Sequence, residues 1–222
     1  MSKLSDQASE GKALPFSFLN QTLWLHPTGA LYWEEARTLM VADVHVGKVT
    51  HFRKHGIALP PKATGYDLLR LEAVITFFSP DRLVFLGDLF HSDLNAEWEA
   101  FTAFQASRPD TVFVLIRGNH DVLPDHLYAQ SGLEVLPHLI EGPFLLTHHP
   151  VPSSTPYNMA GHIHPAVHLR GLGRQRLKRP CFLFGQEGAI LPAFGHFTGN
   201  HVVQPTEADR IFVLAERTVI EV

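Results

Sequence analysis

Apolar residues in this chain fall in short runs closed by glycine, proline, asparagine or aspartate, and that punctuation constrains the fold more than any other feature. Runs of this length between turn signals read as strands. They occur at residues 16–19, 22–25, 31–33 and 39–42, again at 83–86, 111–116 and 144–146, and then at 181–184, 201–203, 211–214 and 219–222. Two stretches carry helical periodicity instead. Leu68, Leu71, Ile75 and Phe78 recur at three- and four-residue steps within residues 62–78, and Leu94, Trp98, Phe101 and Phe104 do so farther on. Ser79-Pro80-Asp81 and Pro109-Asp110 stop these helices, while Pro27-Thr28-Gly29 and Ala215-Glu216-Arg217 read as turns. Strands alternate with helices in the middle and cluster at both ends, the pattern of an α/β core with a mixed sheet.

The 222 residues fit one domain over 13–222 behind a frayed, disordered tail at 1–12, with no linker or repeat to divide it. Apolar residues make up 45% and charged residues 18%, which excludes a disordered or fibrous chain. The single Cys181 forms no internal disulfide and points to a reducing compartment. No apolar run approaches the ~18 residues of a membrane helix. The polar N-terminus has no apolar core of a secretory signal. These features read as a soluble, cytoplasmic protein with no membrane partner. The net charge of −4 does not by itself advertise nucleic acid.

Histidine is unusually frequent at 15 residues, and its positions matter more than its number. Five polar clusters sit at the ends of apolar runs or just beyond: Asp43-Val44-His45, Gly87-Asp88, Gly118-Asn119-His120-Asp121, His148-His149 and Gly161-His162-Ile163-His164. In open α/β sheets ligands bind beyond the carboxyl ends of strands. The i, i+2 spacing of Asp43/His45 and His162/His164 would put both members of each pair on one face of extended backbone. Carboxylate, amide and imidazole donors without thiolate suit divalent first-row metals. Asp43, His45, Asp88, Asn119, His148, His162 and His164 make seven ligands, too many for one four-coordinate ion and suited to two ions sharing a bridging carboxylate. Two such ions clamp both oxygens of a phosphoryl displacement.

These five motifs, in this order over residues 43–164, resemble the ordered motif set of the calcineurin-like metallophosphoesterases. With residues 43–60 (DVHVGKVTHFRKHGIALP) and the GDLFHS run at 87–92, the chain resembles the bacterial DNA ligase-associated metallophosphoesterases over nearly its whole length. The resemblance implies a four-layer αββα sandwich of two mixed sheets flanked by helices. It implies that Asp43, His45 and His164 hold one metal, that Asn119, His148 and His162 hold the other, and that Asp88 bridges. Manganese is the implied metal. His120 would act on the phosphate, stabilising charge or protonating the leaving oxygen, while a hydroxide between the metals attacks phosphorus. Such proteins are encoded near a DNA ligase, a helicase and another repair nuclease, so the implied substrate is single-stranded DNA, with the ligase or helicase as partners. Relatives place an acidic partner for the histidine three residues beyond the GD aspartate. Here that place holds His91, so Asp121 and Asp93 are both candidates to orient His120.

Other residues carry two readings each. Lys48 and Arg53 are either cations near the substrate phosphate or members of a solvated loop. Arg117 reads as structural, paired with a carboxylate. His51 and His55 read as ordinary helix or loop histidines, and His149 should point away from His148. The run HLRGLGRQRLKR at 168–179 holds Arg170, Arg174, Arg176, Lys178 and Arg179 with no acid. It is either a solvated, mobile loop or a tract for a nucleic-acid backbone, with Arg174, Arg176 and Arg179 binding substrate. The functions to be separated are a manganese-dependent single-strand DNA endonuclease, a phosphodiesterase for small nucleotides or other small diesters, and a repair-complex partner with secondary activity.

Overall fold

The computed structural model describes residues 11–48, 65–90, 96–153, 155–171, 173 and 175–222. The first sheet has seven strands: β1 (Leu14–Phe18), β2 (Gln21–Leu25), β3 (Leu31–Trp33), β4 (Thr38–Val41), β5 (Arg82–Phe85), β6 (Val112–Ile116) and β7 (Glu134–Leu136), in that order across the sheet. β1 to β4 pair antiparallel, and β4, β5, β6 and β7 pair parallel. Among the described residues three helices lie between these strands in sequence: α1 (Tyr66–Phe78), α2 (Ala96–Ala106) and α3 (Asp125–Ser131). The second sheet comprises β8 (Leu139–Glu141), β9 (Phe144–Thr147), β10 (Tyr157–Ala160), β11 (Pro165–Arg170), β12 (Arg176–Phe184), β13 (Gly188–Ile190), β14 (His201–Val202), β15 (Arg210–Leu214) and β16 (Val219–Glu221). It too is mixed, with β10 parallel to both β9 and β13.

The central strands of the first sheet are apolar at consecutive positions because both faces are covered. Leu39, Val41, Leu83, Phe85, Phe113 and Leu115 pack with Leu71, Val74 and Ile75 of α1, Phe101 of α2 and Tyr128 of α3. The alternate residues Met40, Val84, Val114 and Ile116 face the second sheet and meet Phe144, Met159, Phe182 and Phe212. Period-two alternation therefore sends one set of side chains to the helices and the other to the inter-sheet core. The outer side of the second sheet carries a small cluster of Val167, Cys181, Ile211 and Val213. No helix among the described residues is long and apolar enough to cross a membrane.

Several elements lie outside the reading from sequence. β7, β8 and β13 have three residues each and α3 has seven, too few for a period to show. β10, Tyr-Asn-Met-Ala, lacks β-branched residues yet is buried at all four positions. The run at 168–179 is not simply a loop: its ends belong to the antiparallel hairpin β11–β12. In the segment read as a frayed tail, residues 1–10 lie outside the described residues, while the Lys12 N–H donates to Arg217 O at 2.9 Å.

One buried charge ties a helix to the segment that supports the site. Arg70 of α1, with 15% of its side chain exposed, donates to the Thr28 carbonyl at 2.9 Å and to that of Phe194, and stands 3.5 Å from Asp67. Asp67 in turn accepts the His196 N–H at 3.0 Å. Phe194 N and Gly195 N then donate to Ala42 O and Asp43 O at 2.8 and 3.1 Å. Arg70→Leu leaves Asp67 and two carbonyls without this cation, a class of change costing ~3–5 kcal/mol. The expected result is a Tm lower by roughly 6–20 °C for a chain of this size. A Tm within 2 °C of wild type, by thermal unfolding, would show that the segment holds itself.

Candidate metal centre

Parallel pairing brings the polar clusters to one end of the sandwich. β4, β5 and β6 run side by side into Asp43, Asp88 and Asn119, while β9 and β10 run side by side into His148 and His162. Two glycines allow the sheets to close at that end. A Cβ on Gly161 would lie 2.8 Å from Ala42 Cβ and Asp43 Oδ2 and 2.9 Å from Leu86 O. Gly87 has φ +80° and lies against the His148 ring, so a Cβ there would overlap the imidazole.

The paired ligands do not sit on pleated strand as the spacing suggested. β4 ends at Val41, and the backbone is left-handed at Asp43 (φ 53°), His45 (φ 52°), Asp88 (φ 52°), His162 (φ 68°) and His164 (φ 54°). Non-glycine residues rarely adopt this region, and they gather where a site over-determines the chain. Within 43–45 and 162–164 an ordinary residue separates two left-handed ones, so both members of each pair still reach the site, Asp43 and His45 together and His162 and His164 on neighbouring donor groups. Backbone hydrogen bonds hold the kinks. His45 N donates to Asp88 O at 2.9 Å, and His162 N donates to the Asp43 carboxylate at 2.9 Å.

Two donor groups result. Asp43, His45 and His164 form one; His148 and His162 form the other with Asn119, whose Oδ1 lies 3.0 Å from His148 Nε2. Asp88 stands between them: its Oδ2 lies 4.0 Å from His45 Nε2 and its Oδ1 3.5 Å from His148 Nε2. Asp43 is 0% exposed and Asp88 2%. His148 Nδ1 lies 2.9 Å from the Leu86 carbonyl and His164 Nδ1 3.0 Å from that of Gly199. A carbonyl can only accept, so in the neutral rings each Nδ1 carries the proton and each Nε2 turns a lone pair into the site. For His164 that lone pair faces Asp43 Oδ1 at 3.3 Å.

Two acceptors at that distance need a cation or a proton between them. Without metal a proton takes the place: burial would lower the His164 pKa, but the Asp43 carboxylate and the Gly199 carbonyl raise it above its ordinary value. His162 moves the other way, lowered by burial and by the neighbouring His149 and His148 rings. The spacing also fits metal. Ligand atoms ~2.1 Å from one ion lie ~3.0 Å apart at octahedral edges and ~3.4 Å at tetrahedral ones. His148 Nε2 has Asn119 Oδ1 at 3.0 Å, His162 Nδ1 at 3.1 Å and Asp88 Oδ1 at 3.5 Å. Donor type, burial and spacing therefore all fit divalent cations.

The structure thus brings together all seven residues read as ligands and sets His120 beside them. The His120 ring lies 5.5 Å from the His45 ring, with Nε2 4.0 Å from Asp88 Oδ2. Asp121 is engaged elsewhere. Its buried carboxylate accepts N–H bonds from Asp88 and Gly118 at 2.8 Å and from Phe90 at 3.1 Å, clamping the loops after β5 and β6 together. Burial raises its pKa. The other candidate to orient His120, Asp93, lies outside the described residues, as do His51, Arg53, His55, His91 and Arg174. Lys48 lies close enough to feel Asp43 and Asp88, although burial lowers its pKa on balance. Arg117 pairs with Asp125 at 2.5 Å. Arg176 and Arg179 lie on the β11–β12 hairpin and outside the donor groups. His149 does not point away: its ring packs 4.1 Å from His162 and 4.6 Å from His148, and its ligand atom joins theirs. Alternation misleads there because β9 ends at Thr147.

Protons and metal compete for the same lone pairs. Metal affinity should fall as pH drops through the histidine range, with the raised His164 protonating first, and excess metal should move the acid limb of a pH–activity profile to lower pH. An acid limb that ignores metal concentration would assign it to another group. Asp121→Asn places an amide NH2 against N–H donors, a buried mismatch costing ~1–3 kcal/mol. Tm should fall by roughly 2–12 °C, with weaker metal retention. An unchanged Tm with a large loss of rate would return Asp121 to a role on His120.

Comparison with known proteins agrees with this geometry. Residues 36–198 match the family model described as calcineurin-like phosphoesterase. Among solved structures the chain is similar to a nuclease, MPE, from Pseudomonas putida, with 32% sequence identity and a TM-score of 0.80 over 95% of this chain and 100% of that one. No curated protein gives a significant match. The family match spans most of the chain and includes every residue of the two donor groups, so the chain belongs to the calcineurin-like phosphoesterases, a family of metal-dependent phosphoesterases.

Proposed function

We propose that the protein is a binuclear-metal phosphodiesterase that cuts DNA, a manganese-dependent single-strand endonuclease linked to repair. The observation that carries the two-metal reading is Asp88, with one oxygen toward His45 and the other toward His148. A buried carboxylate between two nitrogen-rich donor groups is what two ions sharing a ligand require. Asp43, His45 and His164 hold one ion, and Asn119, His148 and His162 hold the other. Oxygen and nitrogen donors without thiolate suit first-row divalent cations, and manganese among them rests on the sequence resemblance. When bound, such ions supply a hydroxide nucleophile near neutral pH and Lewis-acid stabilisation of the phosphoryl oxygens.

The protein's own groups complete the chemistry. The exposed His120 stands at the rim, held by its backbone N–H on Asp88 Oδ1 at 2.9 Å. From there its imidazole reaches the phosphate, stabilising added charge or giving a proton to the leaving sugar oxygen. Lys48 adds a positive charge on the Asp43 side. DNA as substrate is supported by the similarity to a nuclease over nearly the whole chain. The cytoplasmic repair setting, with a ligase or helicase as partner, rests on the sequence resemblance.

His120→Ala should keep both metals and lose ~10²–10⁴-fold in turnover, measured as metal content and rate on the same samples. A rate near wild type would remove His120 from the chemistry. Manganese-loaded protein should cut single-stranded DNA, circular strands included, faster than duplex and with little base preference, because the clamp reads phosphates. Hydrolysis of an aryl phosphodiester without any DNA cleavage would refute the nuclease reading and favour a small-diester substrate.

A further inference from the structure

The basic run after His164 has two faces. β11 begins directly after His164, and its register with β12 pairs Val167 with Arg179, His168 with Lys178, Leu169 with Leu177, and Arg170 with Arg176. Directly opposed residues share a face. His168, Arg170, Arg176 and Lys178 therefore stand together, while Val167, Leu169, Leu177 and Arg179 lie on the other side. Val167 is buried against Cys181, Ile211 and Val213 on the outer side of the second sheet, with Leu169 packed on that cluster, while Leu177 farther out on this face is exposed. The first continues the side of β12 that carries Phe182 into the inter-sheet core, and past that core all four of its basic residues are exposed.

Fold stability does not account for that basic face. Arg170 directly opposes Arg176, and like charges in opposed positions destabilise a hairpin. Among the described residues no carboxylate forms an ion pair with any of the four; Lys178 donates only to a neutral acceptor, the Asn200 carbonyl, at 2.6 Å. The whole chain has a net charge of −4, so four basic side chains on one face run against its global electrostatics. At ~3.3 Å per residue the two ranks, His168/Lys178 and Arg170/Arg176, stand ~7 Å apart, and the nearer begins ~13 Å along the strand from His164. The hairpin is thus a rail leading away from the metal centre.

We propose that the exposed basic face of β11–β12, formed by His168, Arg170, Arg176 and Lys178, binds the sugar–phosphate backbone of the single strand whose scissile phosphate lies at the His164 end. The proposal rests on the nuclease reading above and adds which residues guide the strand. Arg179, on the opposite face, takes no part. Successive phosphates meet successive ranks, the charges between opposed side chains are neutralised by the strand, and the interactions carry no base information.

The test is the exposed pair, Arg170→Gln with Arg176→Gln, in full-length manganese-loaded protein. The probes are a fluorescent oligothymidylate below its KM across a salt series and an aryl phosphodiester. Removing one cation from a single-strand phosphate lowers the log–log salt slope by ~0.7, or about 5-fold in affinity at 0.1 M salt. The ratio of DNA to aryl-diester kcat/KM should therefore fall roughly 25-fold at 0.1 M salt, through KM, with a slope shallower by ~1.4. A ratio and slope equal to wild type would overturn the rail while leaving the nuclease reading standing. Equal losses on both probes would make the hairpin a support of the fold and also overturn it. A loss as large from Arg179→Gln would overturn the assignment to one face. Wild-type protein that turns over the aryl diester and leaves the oligonucleotide intact would overturn both readings together.

Discussion

Two carboxylates withdrawn from water set the terms for everything around them. Asp43 and Asp88 lie at the junction of two sheets, surrounded by imidazole nitrogens whose protons point outward to the Leu86 and Gly199 carbonyls. Burying such groups is costly unless a cation satisfies them. The neighbourhood supplies no arginine or lysine in direct contact with these oxygens among the described residues, and Lys48 only approaches them. The arrangement becomes favourable when divalent ions occupy it, and metal affinity and folding are then linked.

Holding those acceptors together has its own cost, visible in the left-handed backbone at five of the seven donor residues. Residues in this region each cost ~1–3 kcal/mol and persist when the surroundings leave no alternative. The surroundings here are explicit. Parallel strands fix the direction of the chain into each kink, and the Asp121 carboxylate gathers three N–H groups from the loops after β5 and β6. Arg70 secures the Phe194–Gly195 segment that bonds to Ala42 and Asp43 from the other side. The core between the sheets makes the platform, and these polar clamps set the angles on it.

Much of this was legible in the sequence. The strands around residues 39–42, 83–86 and 111–116 announce themselves because burial on both faces demands apolar runs, and Asp43, His45, Asp88, Asn119 and His148 announce themselves because they follow such runs, whereas His162 and His164 follow β10 and show only as a Gly-His-x-His motif. What escaped is local or distant. The three-residue β7, β8 and β13 and the seven-residue α3 carry too little pattern. The hairpin at 165–184 was hidden because exposed arginines dominate its composition, although Val167 and Leu169 already alternate inward. His149 was placed by strand alternation one residue past the point where the strand stops. Asp121 looked like a partner for His120 by adjacency, but its three N–H bonds come from residues that only the fold brings near.

The proposed mechanism depends on a pair of ions sharing Asp88. Electron paramagnetic resonance of the full chain titrated with manganese tests it most directly, because two ions bridged by a carboxylate couple their spins. The expected result is a coupled signal that develops toward two ions per chain in the wild type and that Asp88→Ala abolishes. Binding of one uncoupled ion at saturation, or a coupled signal that survives Asp88→Ala, would contradict it.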